Sequence, residues 1–281
     1  MKVVKRVAGM KALARQWKKE GKRIGFVPTM GYLHEGHLSL VRESKKRADV
    51  TVVSIFVNPT QFGPKEDYKK YPRNLEKDSA YLEKGGVDCL FYPDAADVYP
   101  PGYRTTVEVH GLQDRLCGKF RPGHFRGVAT VVFKLFNIIR PDLAFFGAKD
   151  AQQVLIIERM AADLDLDVEV VTCPLVREPD GLALSSRNAY LSPEERKAAL
   201  VLSISLHWAE RAVAAGERDA AKVVAGIRSA IEAEPLARVD YVEAIDPTSL
   251  EPVAKLHGDV LIALAVFVGS TRLIDNVRLN A

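Results

Sequence analysis

From Arg23 to Asp180, short β-branched and aromatic runs alternate with stretches whose apolar residues recur at spacings of three and four. This alternation constrains the fold more than any other feature of the chain. Parallel neighbours need a long crossover, usually a helix, so the pattern predicts an α/β fold: a Rossmann-like parallel sheet with helices on both faces. Predicted strands cover residues 24–27, 50–57, 89–92, 143–146 and 168–173, with helices at 36–48, 75–84, 128–139 and 151–164. The 50–57 segment is apolar or β-branched almost throughout, as a central strand buried on both faces should be. Before it, the first residues read as a strand-like start followed by an amphipathic helix.

Beyond Asp180 the texture changes. Ser192-Pro193-Glu194-Glu195 supplies an N-cap, a proline at the first helical position and a glutamate at N3, so one long helix should run from there toward 215. A second helix at 220–232 and strands at 239–245, 260–268 and 272–277 follow, which suggests a small antiparallel sheet. The expected organisation is a Rossmann-like domain over 1–180 and a smaller α+β domain over 181–281.

Composition narrows the function classes. With 47% hydrophobic and 27% charged residues in 281, the chain can bury a sizeable core. Forty Lys and Arg against 36 Asp and Glu leave +4, too thin an excess to announce a nucleic-acid binder. The longest strongly apolar run, 260–268, falls short of the ~20 residues a membrane helix needs, so a soluble protein is expected. The cationic amino terminus lacks the apolar stretch of a secretory signal. Cys89, Cys117 and Cys173 are odd in number and widely spaced, without a C-x-x-C, which argues against a disulfide framework or thiolate zinc site and for the cytoplasm.

The candidate chemistry lies where strands end. The first strand runs into Pro28-Thr29-Met30-Gly31-Tyr32-Leu33-His34-Glu35-Gly36-His37, with a helical stripe beyond, so this loop should sit at the carboxyl edge of the sheet. His34 and His37, three apart on one turn, should share a face, and Gly36 leaves room for a base or phosphate near the helix N–H groups. No further ligand recurs at metal spacing nearby, so no metal site is expected. Asn58 to Phe62 follows the second strand, and Gly147-Ala148-Lys149-Asp150 leads from a strand into a helix bearing Gln152 and Gln153. Lys149 resembles a phosphate contact. Gln61 and Gln153 are neutral amides able to hold a carboxylate or hydroxyls. Leu184-Ser185-Ser186-Arg187 offers hydroxyls and a guanidinium to polyphosphate oxygens. His110, His207 and His257 have no comparable setting and are read as structural or exposed.

His34-Glu35-Gly36-His37 resembles the H-x-G-H signature of the nucleotidylyltransferase and class I synthetase superfamily, and Ser185-Ser186-Arg187 resembles its second, phosphate-binding signature. More narrowly, PTMGYLHEGH, FVNPTQFG, RPGHFRGVATVV, FFGAKDAQQ and LALSSRNAYLS, in that order, resemble the pantothenate synthetase (pantoate:β-alanine ligase) family along essentially the whole chain. Two positions depart: the family commonly has Glu at Ala148 and Met at Leu184. The resemblance implies an ATP site lined by Met30, Gly31, Tyr32, Leu33, His34, Glu35, Gly36, His37, Gly147, Ala148, Lys149, Asp150, Val176, Leu184, Ser185, Ser186 and Arg187. It puts His37 in the acid position and His34 on the phosphates, and gives pantoate to Gln61 and Gln153, with Gln61 also bordering β-alanine.

The implied reaction has two halves. Pantoate attacks the α-phosphate of ATP and releases pyrophosphate, and the β-alanine amine then attacks the mixed anhydride and releases AMP. His34, His37, Lys149, Ser185, Ser186 and Arg187 would stabilise charge, with Mg2+ carried by ATP and the second domain acting as a lid. A homodimer is also implied. A nucleotidylyltransferase or a nonturning nucleotide sensor could share the signatures, although the glutamine pair speaks against the first.

Overall fold

The strand that leads into the H-x-G-H loop lies at the middle of the larger sheet. In the computed structural model, which describes residues 1–64 and 66–281, the order begins with β1 (Lys2–Val4), α1 (Val7–Lys19), β2 (Ile24–Thr29), α2 (Glu35–Arg47) and β3 (Val50–Ile55). It continues through α3 (Leu75–Lys84), β4 (Cys89–Phe91), α4 (Ala95–Val98), α5 (Cys117–Phe120), α6 (His124–Ile139), β5 (Leu143–Gly147), α7 (Ala151–Asp163) and β6 (Glu169–Cys173). These six strands pair in the order β1-β4-β3-β2-β5-β6, all parallel. β2 therefore has β3 on one side and β5 on the other, and the chain's crossovers diverge from it. That is the switch point at whose carboxyl end open α/β sheets hold ligands.

Side-chain alternation explains the layers. Phe26 and Phe146 meet the ring of Phe136 on α6 edge-on, with centroids 6.4 and 6.5 Å apart. Val27, Val53 and Phe145 face the other way, into a cluster with Leu40 and Val41 of α2 and Leu82 of α3. A strand buried on both faces must be apolar at both parities, and every residue of β3 is buried. β3 ends at Ile55 rather than 57, because the chain turns away at Asn58-Pro59. α6 begins at His124, about a turn before the predicted start at 128, after Gly123 in a left-handed conformation at φ 81°.

Two compact units divide the chain. One takes Met1–Asp114, Gly118–Ala148 and Gln152–Pro174, and the other takes Arg115–Cys117, Lys149–Ala151 and Leu175–Ala281. The second unit contains α8 (Pro193–Ala198), α9 (Leu200–Ala214), α10 (Ala220–Glu232) and an antiparallel sheet of β7 (Ala237–Ile245), β8 (Asp259–Val268) and β9 (Thr271–Asn280) in the order β7-β8-β9. Leu202, Leu206 and Val213 of α9 and Val223, Ile227 and Ile231 of α10 pack with Val242, Ile262, Leu264 and Val266 of that sheet. The expected capping box is present, with Glu195 N–H on Ser192 Oγ at 3.2 Å and Ser192 N–H on Glu195 Oε2 at 2.9 Å. The single helix expected beyond it is interrupted at Ala199, where the Leu202 amide tightens onto the Ala199 carbonyl at 3.2 Å.

Candidate active site

After β2 the chain makes a turn that a buried carboxylate from α3 holds in place. Asp78, 2% exposed, accepts the backbone N–H groups of Tyr32 at 2.8 Å and Leu33 at 2.7 Å. Gly31 has φ 84° and Tyr32 φ 51°. The glycine is needed twice over, because a Cβ there would also lie 2.9 Å from Ile55 Cγ2. The loop delivers His34 to the start of α2, and the His34 and His37 rings lie with centroids 4.1 Å apart, on one face as the spacing predicts. The His34 backbone N–H donates to His37 Nδ1 at 3.3 Å. An acceptor nitrogen carries no proton, so neutral His37 holds its proton on Nε2 and presents an N–H donor. Glu35 is exposed and pairs with Arg42 further along the same helix.

The segment after β3 is ordered by amides. Asn58, 1% exposed, donates through Nδ2 to the Gly127 carbonyl at 3.0 Å and to Gln61 Oε1 at 3.1 Å. Its Oδ1 accepts from Thr60 Oγ1 and from the Tyr99 hydroxyl at 3.0 and 2.9 Å. Burial pushes the Tyr99 phenol up to about 12, so it remains a donor at neutral pH. Because a carbonyl can only accept, Gly127 fixes which end of the Asn58 amide is nitrogen, and Asn58 then fixes Gln61. Gln61 turns its nitrogen away from Asn58, toward Met30 Sδ at 3.1 Å. Gly127 lets α6 come this close, since a Cβ there would sit 2.4 Å from the Thr60 carbonyl oxygen.

A second set of contacts holds the same segment from α6. His124 Nδ1 lies 2.8 Å from the Gln61 carbonyl oxygen, and Arg121 Nη1 lies 3.1 Å from His124 Nε2. Arginine can only donate, so Nε2 accepts and Nδ1–H donates. Arg121 also makes a two-pronged pair with Glu66 at 2.7 and 2.6 Å. Burial works against ionisation of Glu66, but the Arg121 hydrogen bonds and charge outweigh it and hold the carboxyl below its ordinary range. Asn58, Arg121 and His124 were not singled out from sequence, although each lies inside a motif quoted above. Asp78 carries no local signal at all.

The remaining candidates divide between the two units. Gly147, Ala148 and Gln153 belong to the first, with Gln153 half-buried beside Gln152, whose amide nitrogen donates to the Leu112 carbonyl at 2.9 Å. Lys149, Asp150, Val176 and Leu184 to Arg187 belong to the second. There, the Leu184 N–H donates to the Val176 carbonyl at 3.0 Å and Arg177 bridges Ala183, so two candidate stretches form one hairpin. Ser185 Oγ accepts the Arg187 N–H at 3.2 Å, and Ser186 is buried. Lys149 Nζ lies 3.8 Å from Asp150 Oδ2. His110, His207 and His257 are exposed, and His207 Nδ1 lies 2.7 Å from the Ser203 carbonyl of its own helix. Among the described residues no group of three or more His, Cys, Asp or Glu could hold a metal ion, and no helix is long and apolar enough to cross a membrane.

A parallel sheet with an H-x-G-H loop at the carboxyl end of its middle strand is the architecture of a nucleotide-handling α/β enzyme. The family model for pantoate-beta-alanine ligase matches residues 2–278. A pantothenate synthetase of Pelotomaculum thermopropionicum is 58% identical over 280 residues, covering 100% of this chain and 99% of that protein. The crystal structure of pantothenate synthetase from Thermus thermophilus superposes with a TM-score of 0.94 at 45% identity, over 99% of each chain. That of the Francisella tularensis pantoate-beta-alanine ligase, complexed with beta-gamma ATP and beta-alanine, gives 0.83 at 36% identity over 99% of this chain and 97% of that one. The chain belongs to the pantoate-beta-alanine ligase family.

Proposed function

We propose that the protein condenses pantoate with β-alanine in two ATP-dependent steps, through a pantoyl-adenylate. The observation that carries this reading is the fixed polarity at the carboxyl edge of the first unit's sheet: the contacts at His37 Nδ1 and Gln61 Oε1 leave Nε2–H of neutral His37 and the Gln61 amide nitrogen, which lies against Met30 Sδ, as the donors of that loop pair. Donors of this kind suit an anionic substrate whose own oxygen is the nucleophile. A pantoate carboxylate is already ionised at neutral pH, so attack on the α-phosphate needs alignment and charge stabilisation, not a base. As the new C–O–P linkage forms, the bond from the α-phosphorus to the bridging oxygen breaks, and its electrons leave with pyrophosphate. His34 and His37 act on that charge, together with Lys149, Ser185, Ser186 and Arg187 of the second unit. The β-alanine amine then attacks the acyl carbon, loses a proton, and AMP departs.

Gln61 and Gln153 hold pantoate in this reading, and residues 30–37, 147–150, 176 and 184–187 hold ATP. Mg2+ enters with the triphosphate as part of the substrate, in keeping with a donor set built of His, Lys, Ser and Arg. The unit made mostly of Leu175–Ala281 serves as the lid that shields the anhydride from water. We further infer a homodimer, supported by the family, in the cytoplasm, in keeping with Cys89, Cys117 and Cys173 being buried thiols outside any disulfide. The test is exchange of labelled pyrophosphate into ATP. It should require pantoate and Mg2+ but not β-alanine, while AMP formation linked to amide synthesis should require all three substrates. Exchange that depends on β-alanine would remove the adenylate, and exchange without pantoate would point to another acceptor.

A further inference from the structure

The candidate ATP-site residues of the second unit come from three separated stretches, 149–150, 176 and 184–187, and one pair of neighbouring residues on β9 reaches the first and the hairpin that joins the other two. Asn276 Nδ2 donates to the Lys149 carbonyl oxygen at 2.9 Å. Next to it, Asp275 is 2% exposed and receives both prongs of Arg177, at 2.6 Å through Nη1 and 3.0 Å through Nη2. Arg177 Nη1 also donates to the Gly181 carbonyl at 3.0 Å, spanning the turn of the hairpin that leads into Ser185. The same Asp275 carboxylate accepts the Asn276 backbone N–H at 2.8 Å, tying the two anchors together. Burial pushes the Asp275 carboxyl up, while Arg177 and the Lys149 charge act to keep it ionised.

A buried carboxylate on a strand edge is costly unless it does something for its neighbours. Here the Arg177 pair satisfies it, and the adjacent amide is aimed at a main-chain oxygen of a residue whose side chain is a flexible point charge. Lysine has a long stem and no planar fork, so where its ammonium rests depends on where its backbone is held. Lys149 sits in a 3-10 turn between β5 and α7, where the main chain has few ladder hydrogen bonds of its own. An outside donor is what such a turn needs.

We propose that Asn276, braced by the Asp275–Arg177 pair, is a positioning residue that sets the Lys149 ammonium for the ATP phosphates. The proposal rests on the reading of Lys149 as a phosphate ligand. It makes β9 a shared base for Lys149 and the Ser185–Arg187 hairpin, so the two donor groups hold a fixed spacing within their unit.

A double-mutant cycle tests this through the dissociation constant of Mg-ATP, measured by calorimetry on the full chain. Asn276→Ala should weaken ATP by about three- to tenfold, the scale of one lost amide hydrogen bond. In a Lys149→Ala background the same change should cost less than about twofold, because the charge it positions is gone. Pantoate affinity should stay at the parent value throughout. Asn276→Asp, which keeps the shape but removes the donor, should weaken ATP at least as much, and it carries the test if the alanine variant does not fold. Equal losses in both backgrounds, or joint loss of ATP and pantoate, would reduce Asn276 to a general structural contact and overturn the proposal. Pyrophosphate exchange by the parent protein judges the ligase reading separately, since it does not depend on any Asn276 variant.

Discussion

The backbone N–H of His34 donates to Nδ1 of His37 at 3.3 Å, so the first residue of the H-x-G-H signature selects the tautomer of the last. In the neutral ring the proton then sits on Nε2.

Removing that donor should be felt in turnover. His37→Ala is expected to lower kcat by ~10² to 10³, the scale of one lost electrostatic donor, with the fold intact. His37→Gln, whose amide nitrogen reaches roughly to the Nε2 position, should recover part of the loss, whereas the shorter His37→Asn should not. His207→Ala should leave turnover unchanged, since that ring is exposed on α9. Steady-state rates of the four variants decide it, and identical losses in the Ala, Gln and Asn variants would move the role off Nε2.

Asn58 orients Gln61, so the two should act as one unit on pantoate. Gln61→Ala and Asn58→Ala are each expected to weaken pantoate, and the double variant should be little worse than the poorer single one. Asn58→Ala should also cost about 1–3 kcal/mol of stability, because the Gly127 carbonyl loses its buried partner. Pantoate titrations with denaturant melts of each variant separate the two effects. Fully additive losses in pantoate affinity would mean that Gln61 does not depend on Asn58.

Gly127→Ala introduces a methyl 2.4 Å from the Thr60 carbonyl oxygen, which is backbone and cannot swing aside. Overpacking of this kind is expected to destabilise the fold by about 1–3 kcal/mol. It should also displace Gln61 and raise the KM for pantoate more than the KM for ATP. A variant with parent-like stability and both KM values unmoved would show that α6 can retreat without disturbing the loop.

Acid should loosen the same segment through Glu66. Its folded carboxyl lies below the ordinary value of 4.5, with burial opposing and Arg121 prevailing. A depressed carboxylate stabilises the fold above its unfolded value, and that contribution fades as pH falls through the folded one. Urea midpoints of the parent should therefore drop more steeply below pH 4.5 than those of Glu66→Gln, and the two curves should run parallel above it. Parallel curves throughout would mean that the Arg121 pair adds nothing at this site.

The sheet was readable because its signal is local. Runs such as 50–55 are buried at every position, and the stripe of Leu40, Val41 and Ser44 repeats along one helix face. His34 and His37 were readable for the same reason, being three residues apart on one turn. His124 and Arg121 were not, because what makes them important is a carbonyl and a carboxylate 63 and 55 residues away in the chain. Asp78 acts on backbone N–H groups 46 and 45 residues before it, which no spacing rule anticipates. The break at Ala199 has no signal in the sequence, because alanine has the strongest intrinsic preference for a helix interior.

The chain enters the second unit at Arg115–Cys117 and again at Lys149–Ala151 before settling there at Leu175. Arg272 Nη1 reaches Cys117 Sγ at 3.1 Å, and Asn276 reaches Lys149, so two residues of the last strand depend on segments encoded far upstream. A gene fusion spliced near residue 174 would therefore mate a carboxyl-terminal strand from one ancestor with docking segments from another. Inheritance in this family should keep positions 117 and 272, and 149 and 276, together as linked pairs, and the carboxyl-terminal part should resist transfer as a free-standing cassette.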